Sequence, residues 1–168
     1  AGAILHFDGV AWRPMPSGTA APLAGVWAAG PKDVFAVGFR GLILHFDGAA
    51  WSPMESGTTK HLTGVWGRSG RDVFAVGFDG TIVHYDGTGW SPMPSGCTQW
   101  LTRVWGRPGD VFAVGSAGTI LRYDGETWSA MVSGTSRSLF GVGGSATGDV
   151  FAVGERGTIL RYSDRTAR

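Results

Sequence analysis

Three histidines, His6, His45 and His84, recur at intervals of 39 residues, each two positions before an Asp-Gly pair. Four aspartates, Asp33, Asp72, Asp110 and Asp149, each open the same phrase, DVFAVG. Imidazole nitrogens at equivalent positions suggest a shared metal centre. Repeated carboxylates suggest acid–base chemistry. Both ideas depend on where the repeated segments place these side chains.

The period is set by the glycines Gly2, Gly41, Gly80, Gly118 and Gly157, spaced 39, 39, 38 and 39 residues apart. Each unit holds four short segments, here labelled strands A to D: LTGVWG, DVFAVG, GTIVHYDG and GWSPMPSG. They are rich in Val, Ile, Phe, Tyr and Trp and fenced by Gly, Asp, Ser and Pro, which is strand-and-turn chemistry. A helix needs ten or more residues without such breaks, and no window supplies them. GFDG, between Gly77 and Gly80, reads as a tight hairpin needing positive φ, and the DG of YDGTGW does the same between C and D. Pro53 and Pro92 put strand D at an outer edge, where a missing N–H is tolerated. Trp66, Phe74, Tyr85 and Trp90 are expected between neighbouring units, each contributing roughly 1.5–3 kcal/mol on burial.

Four-stranded antiparallel units of about 40 residues, arranged radially, describe a β-propeller. The expected fold is all-β: one domain over residues 1–168, built of four blades of about 39 residues. Strand C occurs five times, and the simplest closure joins the C-terminal A and B strands to the N-terminal C and D strands in one composite blade. GTILRYSD (157–164) is then the displaced copy, because SDRTAR stands where a D-strand turn would follow. A four-bladed monomer is expected, with an eight-bladed ring of two chains as the alternative.

On that architecture the histidines lie in the third strand from the axis. Strands about 4.8 Å apart put them roughly 10 Å outside strand A, so they cannot share an ion at about 2 Å. The aspartates are expected to cap turn N–H groups. Four equivalent carboxylates lack the unequal environments of an acid–base pair. No GxxxxGK phosphate loop occurs, GVGGSATG (141–148) lies between strands, and Cys97 is the only cysteine. No catalytic set, metal or cofactor is expected.

The phrase DVFAVGFDGTIVHYDGTGWSPMPSG and its turn residues Asp86, Gly87 and Trp90 resemble bacterial propeller repeats of the Asp-box (neuraminidase-like) and photosystem II assembly-factor-like groups. The turn repeats as Asp8/Gly9/Trp12, Asp47/Gly48/Trp51 and Asp124/Gly125/Trp128. Where the Asp-box usually carries serine, two residues before the aspartate, this chain has His6, His45, His84 and Arg122. The resemblance implies the fold, and the assembly-factor likeness implies a scaffold.

Activity has to be sought where the copies differ. The D–A loops carry Lys60, His61, Gln99, Trp100 and Arg137, and the B–C loops carry Phe39, Arg40, Phe78, Asp79 and Arg156. These loops open on one face of the disc, and Arg103 replaces a glycine in strand A. Aromatics and arginines suit stacking on sugars and hydrogen bonding to them, so a non-catalytic, lectin-like carbohydrate-binding module is the leading expectation. A protein-interaction or assembly scaffold is the alternative. The opposite face carries Lys32, Arg68, Arg71 and Arg107.

A net charge of +1 argues against nucleic-acid binding by bulk electrostatics. No apolar run approaches the ~20 residues of a membrane-spanning helix. The first residues, AGAILHFDGV, lack the basic start and apolar core of a signal peptide. A lectin role would imply a secreted or periplasmic setting.

Overall fold

A computed structural model describes residues 2–145 and 148–163. Strands β1 (Ile4–Phe7) and β2 (Trp12–Met15) pair as a ribbon. Three complete sheets follow, each ordered as in the sequence. Blade I holds β3 (Leu23–Gly30), β4 (Asp33–Gly38), β5 (Ile43–Phe46) and β6 (Trp51–Met54). Blade II holds β7 (Leu62–Ser69), β8 (Asp72–Gly77), β9 (Ile82–Tyr85) and β10 (Trp90–Pro92). Blade III holds β11 (Leu101–Arg107), β12 (Asp110–Gly115), β13 (Ile120–Tyr123) and β14 (Trp128–Ala130). A last sheet holds β15 (Leu139–Gly144), β16 (Val150–Gly154) and β17 (Ile159–Tyr162). All pairings are antiparallel, and Pro53 and Pro92 lie in outermost strands as expected.

Neighbouring sheets meet through β3, β7, β11 and β15. The DVFAVG strands form the core: Phe35, Phe74 and Phe112 are at most 1% exposed. Each phenylalanine takes an aromatic ring from the following sheet. Phe35 lies 5.8 Å from Tyr85 and 6.1 Å from Trp90, and Phe74 lies 5.5 Å from Tyr123 and 6.1 Å from Trp128. Toward the axis the fit is tighter. Trp27, Trp66 and Trp105 press on Gly67, Gly106 and Gly144, where a β-carbon would come within 2.7, 2.5 and 3.2 Å of the indole. Thr63 and Thr102 stitch the inner strands together, their hydroxyls donating across the junction to the carbonyls of Leu101 and Leu139 at 2.6 Å each.

Two expectations change. No ladder joins β1–β2 to β15–β17 among the described residues, so the composite sheet is not formed in this chain. GTILRYSD is not displaced either. Its strand β17 pairs with β16 (Val150↔Tyr162) in the register that β9 keeps on β8 (Val73↔Tyr85). Each terminal C strand keeps the partner nearest in sequence, where loop closure costs least. The rest of the SDRTAR segment, beyond Ser163, lies outside the described residues, as do two residues of GVGGSATG.

The four aspartates also play another part. Asp33 holds His45 at 2.7 Å, Asp72 holds His84 at 2.8 Å, Asp110 holds Arg122 at 2.6 Å and Asp149 holds Arg161 at 2.6 Å. Strands B and C are neighbours, so a basic side chain on C outcompetes the turn N–H groups for the carboxylate. Turn capping falls instead to Asp8, Asp47, Asp86 and Asp124, whose carboxylates accept the N–H groups two and three residues on.

Candidate functional site

The B–C loops are one-turn 3₁₀ segments: Phe39–Gly41, Phe78–Gly80, Ser116–Gly118 and Glu155–Gly157. In each, the residue before the glycine also has positive φ: 54° at Arg40, 54° at Asp79, 53° at Ala117 and 51° at Arg156. Left-handed backbone costs a residue with a β-carbon roughly 1 kcal/mol or more. The hairpin sequence pointed only to the glycine.

The D–A loops lock onto these turns. Phe78 N–H donates to the His61 carbonyl at 2.9 Å, and Ser116 N–H to the Trp100 carbonyl at 2.8 Å. Gly41 and Gly80 are pressed against the carbonyls of Thr58 and Cys97, where a β-carbon would stand 2.0 and 2.1 Å away. Beneath them the buried hydroxyls of Ser56 and Ser95 close the SGT and SGC turns of their own loops. The two loop classes therefore form one rigid shelf, as their shared face requires.

On this shelf four of the expected residues make a continuous aromatic stripe. Phe39 stacks on His61 at 4.1 Å, His61 meets Phe78 edge-on at 5.0 Å, and Phe78 lies 4.7 Å from Trp100. The stripe crosses the first two junctions, from blade I to the entrance of blade III. Its ends are open, with Phe39 41% and Trp100 45% exposed. The Arg40 guanidinium lies 5.5 Å from the Phe39 ring centre, and the Arg40 N–H donates to His61 Nδ1 at 3.0 Å. Lys60 pairs with Asp79 at 2.5 Å. The Ser116 hydroxyl receives the Trp100 N–H at 3.1 Å and lies 3.4 Å from Gln99 Oε1.

The other expected residues fall elsewhere. Arg103 sits on β11, the strand A of its unit as expected, donating to the Thr63 carbonyl at 2.9 Å beside a hollow lined by Gly25, Val26 and Gly64. Arg137 and Arg156 belong to the β15–β17 sheet, beyond the end of the stripe. On the opposite face, Arg68 binds Asp72 at 2.9 Å, and buried Arg107 binds Asp110 through two nitrogens at 3.1 and 3.0 Å. Two cations of that face are thus committed within the fold, Arg107 also donating to the Gly148 carbonyl in the β15–β16 loop of the last sheet at 2.6 Å. Among the described residues no group of three or more His, Cys, Asp or Glu side chains is placed to hold a metal.

No protein-family model matches the chain, and no curated protein does. Its shape is similar to that of YCF48 bound to D1 peptide, with a TM-score of 0.71 and 21% identity over 99% of this chain and 58% of that one. For YCF48 from Cyanidioschyzon merolae the TM-score is 0.76 at 16% identity, over 99% and 65%. The chain is a β-propeller repeat protein. The likeness extends to the WD40 propeller domain of Doa1, with a TM-score of 0.68 at 13% identity over 86% of this chain and 52% of that one. The propeller spans 58% and 65% of the two YCF48 chains. At these identities the likeness carries the fold.

Proposed function

We propose that this propeller is a non-catalytic protein-interaction scaffold whose loop face binds an extended peptide segment. The observation that carries the reading is the stripe Phe39–His61–Phe78–Trp100 on its hydrogen-bonded shelf. Its rings are turned against one another, so it offers an apolar ridge with notches rather than open ring faces. A sugar wants a free ring face with unengaged polar groups around it. Here His61 lies between two phenylalanines, Lys60 is bound to Asp79, and the Arg40 N–H is given to His61. Apolar side chains of an extended peptide fit between such rings, while the rim charges of Arg40 and Asp79 set orientation more than strength. A similar fold, that of YCF48, has been seen bound to a D1 peptide. For these reasons the scaffold reading stands ahead of carbohydrate binding.

A random peptide array probed with the purified protein tests this. Apolar-anchored peptides should be retained, and binding should fall at least tenfold in Trp100→Ala and Phe78→Ala, equivalent to about 1.4 kcal/mol or more. A glycan array lit by the same protein, with no peptide retained, would reverse the order of the two readings.

A further inference from the structure

The three internal junctions set a rule that two surfaces of the same chain leave unmet. At the trailing surface Phe151 is 42% exposed, although its equivalents Phe35, Phe74 and Phe112 are sealed by the next sheet. Val153 and Ile159 lie open beside it. At the leading surface Val26 is 69% exposed, whereas Val65 and Val104 are 8% and 6%. There the aromatic pair Phe46–Trp51, which matches Tyr85–Trp90, has no B-strand phenylalanine to rest on. It lines a cavity of about 490 Å³ with Ile4, Leu5, Val26 and Val34, beside the unpaired edge of β1.

The surfaces match in detail. Register aligns Gly143 with Trp27, Trp66 and Trp105, and aligns Ala28 with Gly67, Gly106 and Gly144. The trailing strand has thus lost the tryptophan of the internal junctions, and the leading strand has lost the glycine that would receive it. A β-carbon crowds the indole there, so Ala28 is best met by a strand that brings no tryptophan. Gly143 brings none. His6 is the remaining histidine of the Asp–His series, and its own sheet contains no B strand to supply an aspartate. A B strand set on β1 in the register of the other blades places Asp149 opposite His6.

We propose that a second copy of this chain docks head to tail, laying its β15–β16 hairpin into the gap beside β1. Phe151 of one copy enters the cavity against Phe46 and Trp51 of the other, Val26 is covered, and Gly143 faces Ala28. Within one chain β17 keeps its place on β16; in the dimer this half-exposed strand yields it to the other copy's β1, whose His6 takes the Asp149 carboxylate from Arg161 and whose Phe7 takes the place of Tyr162 against Phe112. A second copy is the occupant because it carries the matching surface. Within one chain the two surfaces lie at opposite ends of the row of sheets, in separate sheets. Such a heterologous contact, repeated twice, closes a ring of two chains.

Light scattering on the purified chain should give twice 17.6 kDa. Gly143→Trp should weaken the dimer at least tenfold by crowding Ala28, with an unchanged β circular-dichroism spectrum. Adding Ala28→Gly should restore association by recreating the internal junction. Phe151→Asp, at an exposed position, should give monomers without unfolding the chain. A wild-type mass of 17.6 kDa at every concentration overturns the proposal, as does a dimer indifferent to both Gly143→Trp and Phe151→Asp.

Discussion

Trp66 lies across the junction on Gly106, so closely that a β-carbon at 106 would stand 2.5 Å from the indole and 2.8 Å from the Asp110 carbonyl. Glycine is required there by its neighbour rather than by its backbone angles. Gly106→Ala should therefore cost about 1–3 kcal/mol, the usual penalty of overpacking. Gly30 has open space at the same distance, so Gly30→Ala should change stability by less than about 0.5 kcal/mol. Urea unfolding of the two variants measures the contrast.

The threonine stitch predicts a gain. Ala24 holds the place in blade I that Thr63 and Thr102 hold in the next two blades. Ala24→Thr should bring a hydroxyl to the Leu62 carbonyl and raise stability by about 0.5–1.5 kcal/mol. Thr102→Val should lose about 1–3 kcal/mol, because the buried carbonyls of Leu139 and Val114 lose their donor. If both variants unfold like the wild type, the stitch is incidental.

Acid should act through the C–D turns. The Thr88 hydroxyl, followed by the N–H groups of Thr88 and Gly89, lowers Asp86 from the ordinary 3.8 to about 2. The Ala11 N–H, with Arg13 and the Val10 N–H, does the same for Asp8. A carboxyl more acidic in the folded than in the unfolded chain gives stability that is complete above its unfolded value and lost as pH falls to its folded one. The urea midpoint should hold from neutral pH to about 5 and fall between about pH 4 and 2. Asp86→Asn keeps an acceptor in the turn but has no charge to lose, so its midpoint should be lower at pH 7, its fall shallower, and the two curves should converge near pH 2.

The left-handed turns link stability to recognition. Ala117→Gly relieves a strained φ of 53° and should stabilise by up to about 1 kcal/mol. Arg40→Gly relieves the same strain but removes the guanidinium over Phe39, worth roughly 0.5–1 kcal/mol at an exposed site. It should leave stability nearly level while weakening peptide capture. Equal binding and an unchanged peptide preference in Arg40→Gly and the wild type would remove Arg40 from the binding face.

The four-strand meander was legible because its signals are local: a fixed period, Gly and Asp at turns, and Pro53 and Pro92 at outer edges. The shared face of Phe39, His61, Phe78 and Trp100 followed from strand order alone. Their ring-to-ring contact did not, since it depends on Phe78 N–H finding the His61 carbonyl, a bond with no sequence signature. The partners of Asp33 and Asp72 were missed for a related reason. Twelve residues separate Asp33 from His45, and only the B–C register makes them neighbours. Gly67 and Gly106 close strand A in the sequence, and nothing local marks them as sockets for an indole from another blade.

The repetition of DVFAVG carries a hazard during folding. Phe35, Phe74, Phe112 and Phe151 belong to nearly interchangeable strands, so a hairpin that skips one repeat would bury much the same apolar surface as the correct one. Local tethers decide between them: four turn residues from strand C to D, and two between A and B in blades I to III, make the sequential partner far more frequent than a distant one. The tryptophan-to-glycine fit then adds a direction, since an inverted blade would set indole against indole. Short loops choose the neighbour, and the asymmetric socket ensures that the array grows with a single polarity.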